Sequence, residues 1–133
     1  MTIPGDEAFL AAQRADLLRF VAGAVRPDGF GYLDERGRVV EERPVELWIT
    51  CRMTHVAALG ALADEAPAPG GPSRAELLEL AAHGVRALAS GALHDAVDGG
   101  WFAAVVDGVP TVTAKQAYGH AFVILASSSA AAA

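Results

Sequence analysis

The stretch LWITCRMTHVAALGALA, residues 47–63, decides how this chain folds. Proline is tolerated in the first turn of a helix, so the segment predicts a helix from Pro44 or Val45 to about Ala63. At about 100° per residue, Trp48, Arg52, His55, Leu59 and Leu62 share one face. Ile49, Met53 and Val56 cover the next face, and Ala57, Ala58 and Ala61 much of the remainder. A helix that is apolar nearly all round is expected to be buried nearly all round. The stretch from about Ala114 onward repeats the type, with Tyr118, Phe122, Val123, Ile124 and Leu125 leaving no polar face.

Two further helices are of another kind. One runs from about Asp6 to Ala24, with Leu10, Leu17, Phe20 and Val21 on one side. The other begins at Ser73-Arg74-Ala75-Glu76, a capping box in which serine and glutamate satisfy orphan amides reciprocally. It places Leu77, Leu78, Ala81, Val85 and Leu88 on one face and Glu76, Glu79, His83, Arg86 and Ser90 opposite, the pattern of a surface helix. The order is therefore outer, inner, outer, inner.

The connections alternate as well. Gly-rich segments with β-forming residues, 26–43 and 91–113, lead into the inner helices. GRVV at 37–40 and WFAAVVDGVPTV at 101–112, with Asp107-Gly108 as its turn, predict short hairpins. DEAPAPGGP at 64–72 reads as a plain Pro/Gly loop. Gly29 precedes Trp48 by 19 positions, as Gly99 precedes Tyr118, so the two halves form a faint repeat offset by 70 residues. Repeat arrays bury each unit against its neighbours. With two units and an uncharged final stretch, the chain is expected to be a single partial domain, residues 1–133, without an internal linker.

Composition narrows the classes. Among 133 residues, 10 basic and 16 acidic side chains give a formal charge of −6, and apolar types make up 53%. That combination excludes intrinsic disorder, and the acidic balance disfavours nucleic acid as a partner, since phosphate contacts need clustered Lys and Arg. The single cysteine, Cys51, can make no internal disulfide, so a reducing cytoplasm is the expected compartment. Gln116, Tyr118, Gly119, His120 and three serines interrupt the C-terminal stretch, which is expected to be a buried helix rather than a membrane span.

Arg52 is the most informative single residue. A guanidinium within a segment built for burial needs a partner, and it serves either a structural ion pair or a cavity-lining fork for substrate oxygens. Trp48, one turn earlier on the same face, is a core tryptophan or a stacking surface for a sugar. Cys51 and His55 are i, i+4 neighbours, but without CxxC or HExxH they favour a structural role over a thiolate–imidazole pair or a metal site. His55 and His120 are possible cavity-edge residues, and Tyr118 can point its hydroxyl into the space that Trp48 faces. Asp95 and Asp98 form only a weak carboxylate pair. A dinucleotide fingerprint, a Walker A motif and G-x-S-x-G are absent.

GFGYLDERGRV, ELWITCRMTHVAAL, HGVRAL, DGGWFAAV and KQAYGHAFVILA, in this order, resemble the N-terminal part of the N-acylglucosamine 2-epimerase family. The resemblance is strongest to its aldose–ketose isomerase branch, which acts on mannose or sulfoquinovose. It implies an all-α fold with short hairpins in its loops, the N-terminal third of an (α/α)6 toroid. Trp48 and Arg52 match the LW-x-x-x-R motif and Tyr118 the K-Q-x-Y motif, which implies that the three line a sugar pocket. The implied reaction passes a proton through an enediol, with a small sugar as partner and without metal or cofactor. The implied acid and base histidines lie beyond Ala133, so no catalytic residue is expected in this chain. Two alternatives stand: another (α/α)6 carbohydrate enzyme such as an unsaturated-uronide hydrolase, and a non-catalytic helical-repeat binding module.

Overall fold

Asp6 starts the first helix, α1 (Glu7–Val21), by accepting the Phe9 amide at 2.7 Å on its side chain. A 3-10 turn at Ala22–Ala24 follows, so regular α-helix ends three residues before the expected boundary. The computed structural model describes residues 3–63 and 69–133. The first five residues of the expected loop at 64–72 therefore lie outside the described residues. Beyond α1 come β1 (Val25–Arg26), β2 (Gly29–Phe30), β3 (Val45–Glu46), α2 (Leu47–Leu62) and α3 (Arg74–Ser90). The chain closes with β4 (Ala104–Val106), β5 (Val109–Val112) and α4 (Ala117–Ala132). The described fold is mostly helical, with two small sheets.

The hairpin at 104–112 forms as expected. Asp107 and Gly108 have φ of 48° and 76°, the positive pair that a type I′ turn requires. GRVV turns back antiparallel on residues 32–34 through a bridge between Leu33 and Val39, with the Asp34 amide donating to the Arg38 carbonyl at 2.8 Å and the Val40 amide to the Tyr32 carbonyl at 2.9 Å. The tight β1–β2 hairpin around Pro27-Asp28 was not expected. Nor was β3, which pairs antiparallel with β4 and joins the two halves in one three-stranded sheet. That ladder takes Val45 and Glu46, so α2 begins at Leu47 rather than at Pro44 or Val45.

Small residues set how closely the helices approach. Helix α2 is central, packing on α3 through Ala57, Ala58 and Ala81, and at Gly84, where Thr54 fills the space of a side chain. On its other side Leu47 lies over Gly119 of α4, and Cys51 joins Val123 and Ala126 in the main core. Leu88, Leu93, Val45 and Val105 complete that core. The expectation that α2 and α4 are buried all round is corrected: Val56, Leu59, Leu62, Tyr118, Ile124 and Leu125 are exposed. In α1 only Ala15 is buried, and Leu10, Leu17 and Phe20 face solvent. Among the described residues no helix is long and apolar enough to cross a membrane.

The segment between α3 and α4 is pinned by Asp95. Its Oδ1 accepts the amides of Val97 (3.0 Å) and Asp98 (3.1 Å), and its Oδ2 lies 2.8 Å from the Lys115 ammonium. The hydrogen bond from Lys115, aided by the Asp98 and Val97 amides, lowers the Asp95 pKa from 3.8 to about 2. This commits the carboxylate to structure and removes it from any paired acid–base role with Asp98. A depressed carboxyl pKa stabilises the fold above the unfolded value and loses that contribution as pH falls towards the folded one. Asp95→Asn is therefore expected to lower the denaturant midpoint at neutral pH. The gap from the parent chain should close between pH 3.8 and about 2, as measured by circular dichroism.

Candidate functional site

Of the expected site residues, Trp48, Arg52 and Tyr118 meet near the start of α2. The Arg52 guanidinium carbon lies 5.6 Å from the centre of the Trp48 ring and 5.8 Å from that of Phe122, within cation–π range. Trp48 and Tyr118 have ring centres 6.3 Å apart, and Tyr118 meets Phe122 edge-on at 4.9 Å. Residues from both repeats thus share one surface on the side of α2 away from α3. Arg52 is exposed there rather than buried, because no other described element covers that side. Among the described residues no carboxylate pairs with Arg52, and a donor fork flanked by aromatic faces suits the hydroxyls or an acidic group of a polyhydroxyl ligand with apolar C–H faces.

Residues just before Trp48 complete the arrangement. Glu46 Oε2 accepts a hydrogen bond from Trp48 Nε1 at 2.8 Å and a second from the Tyr32 hydroxyl. The Arg43 guanidinium carbon stands 3.7 Å over the Tyr32 ring. Burial and the neighbouring Glu46 carboxylate raise the Tyr32 phenol above its ordinary pKa, so it stays a donor. Sequence reasoning missed Glu46, Tyr32 and Arg43, and had Phe122 only as a neighbour of Tyr118.

The histidines have separate duties. His55 Nδ1 lies 2.6 Å from Ser129 Oγ, and that hydroxyl donates to the Leu125 carbonyl at 2.9 Å. The hydroxyl proton being so used, His55 Nδ1 is the donor and ties α2 to α4. His120 spans the Gln116 carbonyl (2.8 Å) and the Trp101 amide (3.3 Å), so both ring nitrogens are engaged away from the Trp48 group. His83 was expected on a solvent face. Instead its Nε2 lies 2.9 Å from the Gly29 carbonyl, and its ring packs edge-on against Phe30.

Cys51 is fully buried, and burial pushes its thiol up to about 12, far from a nucleophile's range. Among the described residues no group of three or more His, Cys, Asp or Glu side chains converges as a metal site. A groove of about 560 Å³ between the 3-10 turn and α3, lined by Val25, Glu79, Leu80 and His83, shares no residue with the Trp48 group.

The family model for N-acylglucosamine 2-epimerase (GlcNAc 2-epimerase) matches residues 29–133, which hold every residue of the site just described. The D-mannose isomerase of Thermobifida fusca is 45% identical over 125 residues, covering 92% of this chain and 28% of the relative. The D-mannose isomerase of Pseudomonas cannabina pv. alisalensis is 42% identical over 127 residues, covering 96% and 28% respectively. The chain thus spans 28% of the length of these curated relatives. With the match running from the first hairpin through α4, the chain belongs to the N-acylglucosamine 2-epimerase family.

Proposed function

We propose that the protein carrying this chain is a sugar isomerase that interconverts D-mannose and its 2-ketose, and that the surface of Trp48, Arg52 and Tyr118 forms part of its sugar pocket. The observation that carries this reading is the convergence of those three side chains from two repeats, in a chain whose relatives are D-mannose isomerases. In this reading α1–α2 and α3–α4 are the first two outer–inner pairs of an (α/α)6 toroid, and residues 1–133 are one part of its domain. A reducing cytoplasm fits a single, buried cysteine.

The chemistry follows from the side chains. A base removes the proton at C2, and the electrons pass to the C1 carbonyl oxygen, which takes a proton to give the cis-enediol; C1 then takes a proton as the O2 hydroxyl loses one and C2 becomes the ketone. The acid and base are histidines outside these residues. The Arg52 guanidinium donates to the sugar oxygens, where negative charge gathers as the enediol forms. The Trp48 indole stacks against the C–H face of the sugar, and the Tyr118 hydroxyl supplies a further donor.

The test is the appearance of ketose from D-mannose. Arg52→Ala is expected to lower kcat/KM by roughly tenfold to a hundredfold, the loss of a charge-assisted hydrogen bond at about 1.5–3 kcal/mol. Undiminished turnover in Arg52→Ala would remove that residue from the pocket. Epimerisation of an N-acylglucosamine without turnover of D-mannose would move the protein to the other activity of its family.

A further inference from the structure

We propose that Glu46 is a positioning residue for the sugar site, holding the Trp48 indole in one orientation through its carboxylate. The inference rests on the reading of Trp48 as the stacking wall of a sugar pocket.

Glu46 stands at the residue preceding the first turn of α2, where an Asp, Asn, Ser or Thr side chain ordinarily accepts a helix amide. It makes no such hydrogen bond. The first amide of the helix, that of Leu47, donates to the Ala103 carbonyl at 3.0 Å and ties this end to β4. The carboxylate makes no cap, and Oε2 gathers two side-chain donors, Trp48 Nε1 and the Tyr32 hydroxyl.

The backbone makes this possible. Glu46 has extended φ and ψ of −102° and 143°, and Trp48 is already helical. Two residues that would point apart within one helix are brought together across the strand-to-helix break. Tyr32 holds the carboxylate from the other side, and Arg43 covers the Tyr32 ring.

Such a hold matters because an indole has broad freedom about its second side-chain torsion. A stacking wall that must first be ordered binds more weakly than one already ordered. The half-buried Trp48 also sets where Arg52 and Tyr118 sit, since both contact its ring. Removing the carboxylate should therefore act on substrate affinity more than on turnover.

The protein labelled with 5-fluorotryptophan provides the test, with the Trp48 resonance assigned by its loss in Trp48→Phe. Glu46→Met keeps the side-chain length and removes the acceptor. It is expected to shift or split that ¹⁹F resonance and to raise KM for D-mannose about tenfold, with kcat changing less, as uniform binding is lost. Glu46→Gln keeps an acceptor oxygen and should restore a single resonance and most of the affinity. If Glu46→Met does not fold, Tyr32→Phe loosens the same carboxylate and should move the resonance in the same direction. An unchanged Trp48 resonance in the folded variant overturns the proposal. So does a changed resonance with unchanged KM, which would leave Trp48 outside the sugar site. A parent protein that does not turn over D-mannose counts against the isomerase reading alone, and the resonance then decides whether Glu46 holds Trp48.

Discussion

Gly84→Ala is expected to destabilise the protein by about 3 kcal/mol or more, at the upper end of overpacking effects. A methyl group there would lie 1.8 Å from Thr54 Oγ1 and 2.9 Å from Thr54 Cβ. Thr54 has nowhere to go. It is fully buried, and its hydroxyl donates to the Thr50 carbonyl at 2.7 Å. Thr50 in turn accepts the Phe30 amide at 3.1 Å, so the two threonines fasten the face of α2 that meets α3 and β2. The gain in helix propensity, about 1 kcal/mol for Gly to Ala, does not offset such a clash. Denaturant midpoints in a double-mutant cycle with Thr54→Ala check the cause. The double variant should recover part of the loss, because the closest atom is then gone. Equal destabilisation of Gly84→Ala in both backgrounds would place the damage elsewhere.

The second large effect concerns the 133-residue polypeptide studied on its own, which is expected to self-associate. Helix α4 carries no charged side chain, and Ile124 is 70% exposed. Leu59, Leu62 and Leu125 add to the uncovered apolar surface of α2 and α4. Large exposed apolar side chains in this number favour association. Light scattering after size exclusion should show oligomers or aggregates. The pair Leu59→Glu and Ile124→Lys should shift the population towards monomer, since neither residue belongs to the buried core. A monodisperse parent chain would show that this face tolerates water.

Much of this was legible in the sequence, for identifiable reasons. The apolar periods marked four helices, and the Ser73–Glu76 box placed the start of α3. Equal spacing from the glycine-rich segments put Trp48 and Tyr118 at corresponding places, and their ring centres lie 6.3 Å apart, tilted at 55°. What was not legible depended on pairing over long distances. Val45 and Glu46 read as helix because Pro44 permits one, and only the partner strand at 104–106 makes them β. Taken as helical, Glu46 would lie far around the axis from Trp48, so its carboxylate drew no attention. The exposure of Arg52 was hidden for a related reason. Apolar character all round indicates what a helix can bury, and the neighbours present decide what it does bury.

The pairing of β3 with β4 also bears on the order in which the molecule can be made. As the chain leaves the ribosome, α1, the β1–β2 hairpin and all of α2 are available before Ala104 has been synthesised. The strand that fixes the Trp48 end of α2 is not. Several ties reach back across the intervening helix, among them Val45 with Val105 in the sheet and the Gly108 amide donating to Asp28 Oδ2 at 2.8 Å. Contacts so distant in sequence form late, because the intervening loop must be closed before they stabilise anything. The first repeat can therefore acquire its helices early. Its Trp48 end waits for the second.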